Sequence, residues 1–182
     1  RSTFERTSRS PLAYRRRTFS WRFASTLPAS LSSNVPTEAS EAFELHLSSP
    51  GSVRNLVVRP QDVQRLLNLP AEDVELNVQA AGLNFRDVLN LLDLDPTRTV
   101  RPLGLECSSV VGSAGRFVSH MCKGESVYGT AMGCLASIVC TDARIQAHMP
   151  RALSFEESCT LPILWCTIRL ALGECMQLGA RR

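Results

Sequence analysis

The sequence predicts a mainly β protein, a partly open barrel with short helices. Two observations carry this prediction. From Phe43 onward the chain is a series of short β-type segments, and turn residues, chiefly Gly and Pro, separate them. Many short strands at such spacing favour a closed or nearly closed barrel. The predicted strands are 43–47, 56–59, 74–81, 105–111, 126–128, 138–141 and 145–149, with turns at 50–51, 112–115, 123–124 and Pro150.

Helical patterns interrupt the strands and follow them. A short helix is predicted over 85–92, and Ser154 with Glu157 forms the capping box of a second one. After Pro162, apolar residues at four-residue steps predict a helix over 163–178, and its stripe is Leu164, Ile168, Leu172 and Met176. A helix must bury such a stripe, and no strand follows this one, so we expect the architecture to be cut off.

The first 37 residues differ from the rest in charge. They hold seven Arg and one acid, Glu5, whereas residues 38–182 have a net charge of −3. This Arg- and Ser-rich stretch without sustained periodicity is predicted to be disordered. Three interpretations stay open: an interdomain linker, a plastid or mitochondrial transit peptide, or a basic arm for anionic surfaces. If this stretch is not a transit peptide, we expect the protein to be cytoplasmic.

Composition excludes several classes of protein. The longest clean apolar run, residues 161–168, is 8 residues long, so no membrane span is expected. The acidic folded part and the 6% aromatic content do not favour nucleic-acid binding. The 7 cysteines never come closer than six residues apart, which excludes a CxxC zinc ribbon. We expect reduced, buried and inert thiols.

Six segments in order resemble one known family. Residues 78–89, VQAAGLNFRDVL, closely resemble the AAGLNFRDVL signature of enoyl reductase domains in polyketide synthases and animal-type fatty acid synthases. These domains belong to the zinc-independent branch of the medium-chain dehydrogenase/reductase superfamily. Each match is weak alone, and the ordered set is specific. The other five matching segments are 50–52, 102–107, 124–129, 141–144 and 153–162.

The resemblance implies a fold and an activity. It implies a GroES-like barrel at 41–162 and, at 163–182, the start of a Rossmann domain truncated before its glycine-rich loop. Residues 1–40 then remain as the disordered Arg- and Ser-rich leader or linker. Such a domain uses NADPH to reduce the C=C bond of an enoyl thioester on an acyl carrier protein, by hydride transfer, with a homodimer expected through the Rossmann domain. The glycine pair at 112–115 lacks GxGxxG, precedes no helix and is interpreted as a turn.

The resemblance also implies a site without metal. Zinc-dependent relatives place ligands at the positions of Asn84 and Leu105, and neither residue is a good zinc ligand. Asn84, Arg86 and Thr167 are the candidate cofactor-binding residues. The alternatives are that Asn84 is a helix N-cap and that Thr167 bonds to its own backbone. Arg86 and Asp87 either pair or orient the site, although Asp87 also suits the first turn of a helix.

Asp95 is the candidate catalytic residue. Counting from Leu89, it stands where many family members have a Tyr that is a candidate proton donor. A carboxyl group with an ordinary pKa of about 4 is ionised at neutral pH and cannot donate a proton. Either burial raises its pKa strongly, or Asp95 with Pro96 is a turn without acid chemistry. The Lys and Asp that are otherwise assigned to proton delivery in the family belong to the nucleotide-binding domain.

Two other functions stay open. One is a free-standing, quinone-oxidoreductase-like reductase, which shares the barrel and the cofactor. The other is a non-catalytic barrel fragment. Extending the reading frame would separate these interpretations, because flanking acyl carrier or ketoreductase segments would favour the synthase.

The first testable prediction is that these 182 residues alone neither bind NADPH tightly nor reduce an enoyl thioester. Without the phosphate loop, two or three charge-assisted hydrogen bonds are lost, which weakens binding on the order of a thousandfold. The apolar stripe should also make the chain prone to aggregation. NADPH fluorescence titration and a crotonyl-thioester assay test this, and micromolar affinity or any turnover above background would contradict it.

Overall fold

In the part of the chain that the structure describes, seven strands form two antiparallel sheets. The structure, a computed structural model, describes residues 42–62, 68–96 and 101–175, so the predicted leader at 1–40 and Met176 lie outside the described residues. The strands are β1 (Phe43–Leu47), β2 (Leu56–Pro60), β3 (Asp73–Gly82), β4 (Glu106–Ala114), β5 (Ser126–Thr130), β6 (Ile138–Asp142) and β7 (Gln146–His148).

The larger sheet has the strand order β6-β3-β4-β5-β7, and β1 pairs with β2 in the smaller one. Backbone hydrogen bonds join the two sheets, from Leu45 N–H to the Leu135 carbonyl (2.8 Å) and from Ser137 N–H to the Phe43 carbonyl (2.8 Å). Within the described strands the larger sheet ends at β6 and β7 and does not close into a barrel. The prediction of a mainly β, partly open barrel is therefore confirmed.

The core lies on one face of the larger sheet. Along β3, Val74 and Leu76 are fully buried whereas Asp73 and Glu75 between them are not, which is the period of two expected for a half-buried strand. The remaining buried members of this core are Cys107, Val111, Met121, Val127, Ala131, Cys134, Val139 and Ala143. Burying these apolar side chains is the main force that holds the sheet in its register.

Among the described residues, three α-helices accompany the strands: α1 (Phe85–Leu91), α2 (Phe155–Ser158) and α3 (Pro162–Ile168). The predicted capping box of α2 is confirmed, because Ser154 Oγ accepts a bond from Glu157 N–H (3.1 Å) and the Glu157 carboxylate accepts one from Ser154 N–H (3.1 Å). The predicted helix over 163–178 is only partly right. It is α-helical to Ile168 and π-helical over Arg169–Cys175, a stretch that contains the poor helix former Gly173.

The predicted turn at 112–115 is misplaced, because the turn begins at Gly115, whose carbonyl accepts a hydrogen bond from Val118 N–H (2.9 Å). Strand β4 continues through Gly112 to Ala114, which pairs with Val74 of β3. A β-carbon on Gly112 would lie 2.6 Å from the Glu75 carboxylate and 2.9 Å from the amide of Asn77. Glycine is needed here because side chains of β3 cross the strand, and not because the chain turns.

The predicted last strand over 145–149 is also too long. Residues Ala143–Ile145 form a 3₁₀ turn, and only Gln146–His148 pair with β5. Asp142 caps this turn, since its Oδ1 accepts a hydrogen bond from Arg144 N–H (2.8 Å). The local cap ends β6 and prevents one continuous strand.

Helix α3 and the π-helical segment present large apolar side chains to solvent. Trp165 is 60% exposed, and the predicted stripe residues Leu164, Ile168 and Leu172 are exposed as well. We call this set the exposed apolar face. In the part of the chain that the structure describes, no helix has both the length and the apolar character needed to cross a membrane.

Candidate active site

A small cleft lies between α1 and the segment that leads into β4. Its empty volume is about 210 Å³, including the space at its open mouth. Four charged side chains are among those that line it, alongside apolar groups. The lining residues are Arg86, Asp87, Asn90, Asp95, Arg101, Pro102, Leu105 and Met132. Two of the predicted site residues, Arg86 and Asp95, thus meet in one cleft.

Asn84 starts the helix that forms one wall of the cleft. Its Oδ1 accepts a hydrogen bond from Arg86 N–H (3.1 Å), and its own N–H donates to Asp87 Oδ2 (3.0 Å). This reciprocal pair is a capping box, so the expected N-cap role of Asn84 is confirmed. Its cofactor-binding role stays a prediction.

The Asp87 carboxylate also reaches a distant part of the chain. Its Oδ1 accepts a hydrogen bond from Gly104 N–H at 2.9 Å, although the two residues are 17 positions apart. Asp87 is only 6% exposed. Both of its oxygens are therefore engaged by backbone donors, as a buried carboxylate requires.

Asn90 makes a second contact of this kind, which sequence reasoning missed. Its Nδ2 donates to the Arg101 carbonyl (2.8 Å), and the residue is as buried as Asp87. The available signal was spacing, since residues three apart on a helix share a face. Asp87 and Asn90 together attach α1 to the 101–104 segment.

Asp95 lies in the cleft, and its side chain is half-buried. The residues between it and the next described position, 97–100, lie outside the described part of the chain. The location in the cleft is compatible with both open interpretations. Its catalytic role stays a prediction.

Thr167 is not among the residues that line the cleft. It lies exposed on α3, and its Oγ1 donates to the Ile163 carbonyl one turn earlier (2.8 Å). The alternative that Thr167 bonds to its own backbone is therefore observed. Its cofactor contact stays a prediction.

Glu106, which the sequence did not single out, connects the sheet to α3. It is 6% exposed, and its Oε2 accepts a hydrogen bond from Ile163 N–H (2.9 Å). Helix α3 has no side-chain cap of its own at Leu161, so the carboxylate from β4 supplies one. A β-carbon on Gly82 would lie 2.7 Å from Glu106 Cγ, which explains the glycine.

Burial raises the pKa of the Glu106 carboxyl above its ordinary value. The hydrogen bond from Ile163 N–H opposes this shift, while the nearby charge of Asp87 adds to it. Burial and the neighbouring Asp87 charge thus both disfavour the ionised form of Glu106.

Buried thiols lie close to Glu106. Cys134 Sγ donates to the Glu106 carbonyl (3.2 Å), and its hydrogen bond with Cys107 and its burial both raise its pKa. Burial also raises the pKa of Cys159 to about 11. Cys134 and Cys159 are thus protonated at neutral pH, as expected for inert thiols. The prediction of burial is wrong for Cys122 and Cys166, which are exposed on the surface.

No metal site is evident within residues 42–62, 68–96 and 101–175, where no group of three or more His, Cys, Asp or Glu side chains is arranged to hold an ion. The position predicted to lack a zinc ligand, Leu105, lies in the cleft wall. The expectation of a metal-free site stays a prediction.

No protein-family model matches the chain. Among curated proteins it is similar to the pikromycin polyketide synthase component PikAII of Streptomyces venezuelae, with 33% identity over 143 residues, 77% of this chain and 4% of that protein. Among solved structures it is similar to the CurK enoyl reductase, with 31% identity, a TM-score of 0.66, and coverage of 73% of this chain and 42% of that one. The chain is a homologue of polyketide synthase enoyl reductases.

Other relatives share the fold alone. A quinone oxidoreductase from Coxiella burnetii has 21% identity and a TM-score of 0.64, over 75% of this chain and 45% of that one. The likeness supports the medium-chain dehydrogenase/reductase fold that the resemblance implied. The present chain spans a small part of the length of the curated synthases and less than half of the length of the CurK enoyl reductase chain.

The second testable prediction is that Glu106→Gln gains stability over the wild type as pH rises. Because the pKa of Glu106 is higher in the folded state, its contribution to the free energy of unfolding is fully present below the unfolded-state pKa of about 4.3. This contribution is lost as the pH rises through the folded-state pKa. Glutamine stays neutral and keeps an acceptor for Ile163 N–H. Urea unfolding from about pH 4 to pH 8 measures the difference, and a difference that is independent of pH would contradict the assignment.

A matched control for this prediction is Asp142→Asn. Hydrogen bonds from Arg144 lower the pKa of Asp142 to about 2. Its contribution is present above the unfolded pKa and is lost as pH falls through the folded one, so the sign is opposite. Asp142→Asn should therefore lose stability relative to the wild type as pH rises from acid to neutral.

Proposed function

We propose that residues 43–175 form the substrate-side part of an NADPH-dependent enoyl reductase of a polyketide synthase or a related fatty acid synthase. The observation that carries the proposal is the position of the cleft. It lies at α1, which is the FRDVL part of the segment by which the sequence resembles these enzymes. The substrate is an enoyl thioester carried on an acyl carrier protein.

The described residues suit the nicotinamide end of the cofactor. Leu83 and Phe85 are 69% and 73% exposed on either side of Asn84, and they present an apolar surface beside an amide. Gly112 lies inside β4, which ends at Ala114, and the next element after it is strand β5 and not a helix. We assign no pyrophosphate binding to the described part of the chain, because pyrophosphate binding needs a glycine-rich loop that leads into the N-terminus of a helix.

When bound, NADPH supplies the hydride that adds to the β-carbon of the enoyl thioester. This chain's own residues orient the substrate and stabilise charge. Pro102, Leu105 and Met132 give the cleft an apolar surface for the acyl chain. Arg86 and Arg101 line the same cleft, and cations held there favour negative charge developing on the thioester carbonyl oxygen.

The third testable prediction uses a chimera in which residues 43–175 replace the matching part of the CurK enoyl reductase. We expect NADPH-dependent reduction of a crotonyl thioester, because this half supplies the substrate cleft and the CurK half supplies the phosphate-binding loop. Stopped-flow or steady-state loss of NADPH absorbance measures it, with unmodified CurK enoyl reductase as the control.

Each other outcome favours a different function. The fold shared with the Coxiella quinone oxidoreductase supports a reductase of small diffusible quinones as the second candidate. A chimera that reduces 1,4-benzoquinone and not the thioester would favour that candidate. A folded chimera that binds NADPH and reduces neither compound would favour a non-catalytic barrel.

The fourth testable prediction concerns Asp95, which lines the cleft. A side chain that donates the proton contributes about 10²- to 10⁴-fold to the rate. We expect Asp95→Asn to lower kcat of the chimera by less than about tenfold, because an ordinary carboxyl group is ionised at neutral pH. A loss of a hundredfold or more, with NADPH binding intact, would instead make Asp95 the acid.

A further inference from the structure

Asp87 does more than cap a helix. A capping box needs only one acceptor on the third helical residue, and Asp87 Oδ2 fills that role with Asn84 N–H at 3.0 Å. The second oxygen is not needed by α1. It accepts Gly104 N–H at 2.9 Å, and Gly104 immediately precedes Leu105 in the wall of the cleft.

The segment that Asp87 holds is fixed on its other side by backbone bonds alone. Gly133 N–H donates to the Gly104 carbonyl (2.9 Å), and Ala131 N–H donates to the Leu105 carbonyl (2.9 Å). Gly104 has a φ of +93°, in the region that favours glycine, so its N–H and carbonyl take up directions that other residues rarely adopt. The loop at 131–135 and Asp87 thus hold the segment from two sides.

We propose that Asp87 is a positioning residue, which sets the spacing between Asn84 and the Gly104–Leu105 wall of the cleft. The proposal rests on the proposed function, since Asn84 is there assigned to the nicotinamide and Leu105 to the acyl chain. One buried carboxylate accepts the backbone N–H of Asn84 and that of Gly104, so the two binding surfaces move together. Charge-assisted bonds of this kind are short and directional.

Geometry of this sort affects turnover more than binding. Hydride transfer needs the reacting atoms at near-contact distance, and a misplacement of about 1 Å costs on the order of 10²-fold in rate. If one of the two hydrogen bonds to Asp87 is lost, both binding surfaces are still present, but the distance between them is no longer fixed. The signature is therefore a fall in kcat with little change in KM.

The fifth testable prediction uses Asp87→Asn, which keeps the shape of the side chain and replaces one acceptor oxygen with a donor. In this chain, we expect the Asn84 and Gly104 amides to exchange slowly in the wild type, and the amide that loses its acceptor to exchange about tenfold or more faster in the variant. Hydrogen exchange resolved by NMR measures both. Rapid exchange of either amide in the wild type would overturn the proposal without any variant.

The kinetic part uses the chimera with CurK. We expect Asp87→Asn to lower kcat about tenfold or more while KM for the thioester changes by less than about threefold. Asp142→Asn is the matched control, because Asp142 also accepts a backbone N–H as a cap but lies at the other end of β3, opposite Asp73. It should change neither constant.

The outcomes separate the two proposals. If Asp87→Asn lowers stability and raises KM as much as it lowers kcat, Asp87 is merely structural and the inference is wrong. If the wild-type chimera is inactive but both amides are protected in the wild type and one of them loses protection in Asp87→Asn, the proposed function fails while the role of Asp87 in setting the spacing stands.

Discussion

The structure depends on the pairing of β3 with β4. Their antiparallel register places Gly82, the last residue of β3, opposite Glu106, the first of β4. The chain that leaves β3 and the chain that enters β4 therefore emerge at the same edge of the sheet, although about 20 residues separate them in sequence. Asn84 follows and Leu105 precedes this residue pair, at the same edge of the sheet. The pairing is secured by the buried core beneath it, in which Val74, Leu76, Cys107 and Val111 come from the two strands.

Two buried carboxylates position the segments that meet at that edge and form the candidate site. Asp87 binds backbone N–H groups on both sides of the cleft, and Glu106 reaches from the sheet to the start of α3. A buried acid is costly unless its oxygens are satisfied, so each one restricts where the segments it binds can lie. Gly82 completes the arrangement, because any side chain there would meet Glu106. The position of the Glu106 side chain therefore requires a glycine at position 82.

Local sequence signals predicted the strands and the helix starts well. Ser154 and Asn84 are caps because their side chains bind residues two or three positions away, and such bonds depend on little else. The turn predicted at 112–115 begins only at Gly115, because Gly112 serves a contact with Glu75, which is distant in sequence. Glu106 and Asn90 were missed for the same reason, since their partners lie 57 and 11 residues away. The position of Asp95 in the cleft followed from family resemblance and not from any local pattern.

The exposure of Trp165 on α3 gives the protein an optical property. Indole fluorescence is sensitive to water. Trp165 belongs to the exposed apolar face and is itself 60% exposed. Any domain, second copy or ligand that covers α3 would transfer the ring to a drier environment and shift its emission to shorter wavelength. The only other tryptophan, Trp21, lies outside the described residues and is removable by Trp21→Phe. The chain therefore carries an intrinsic reporter of docking on this surface, free of attached dyes.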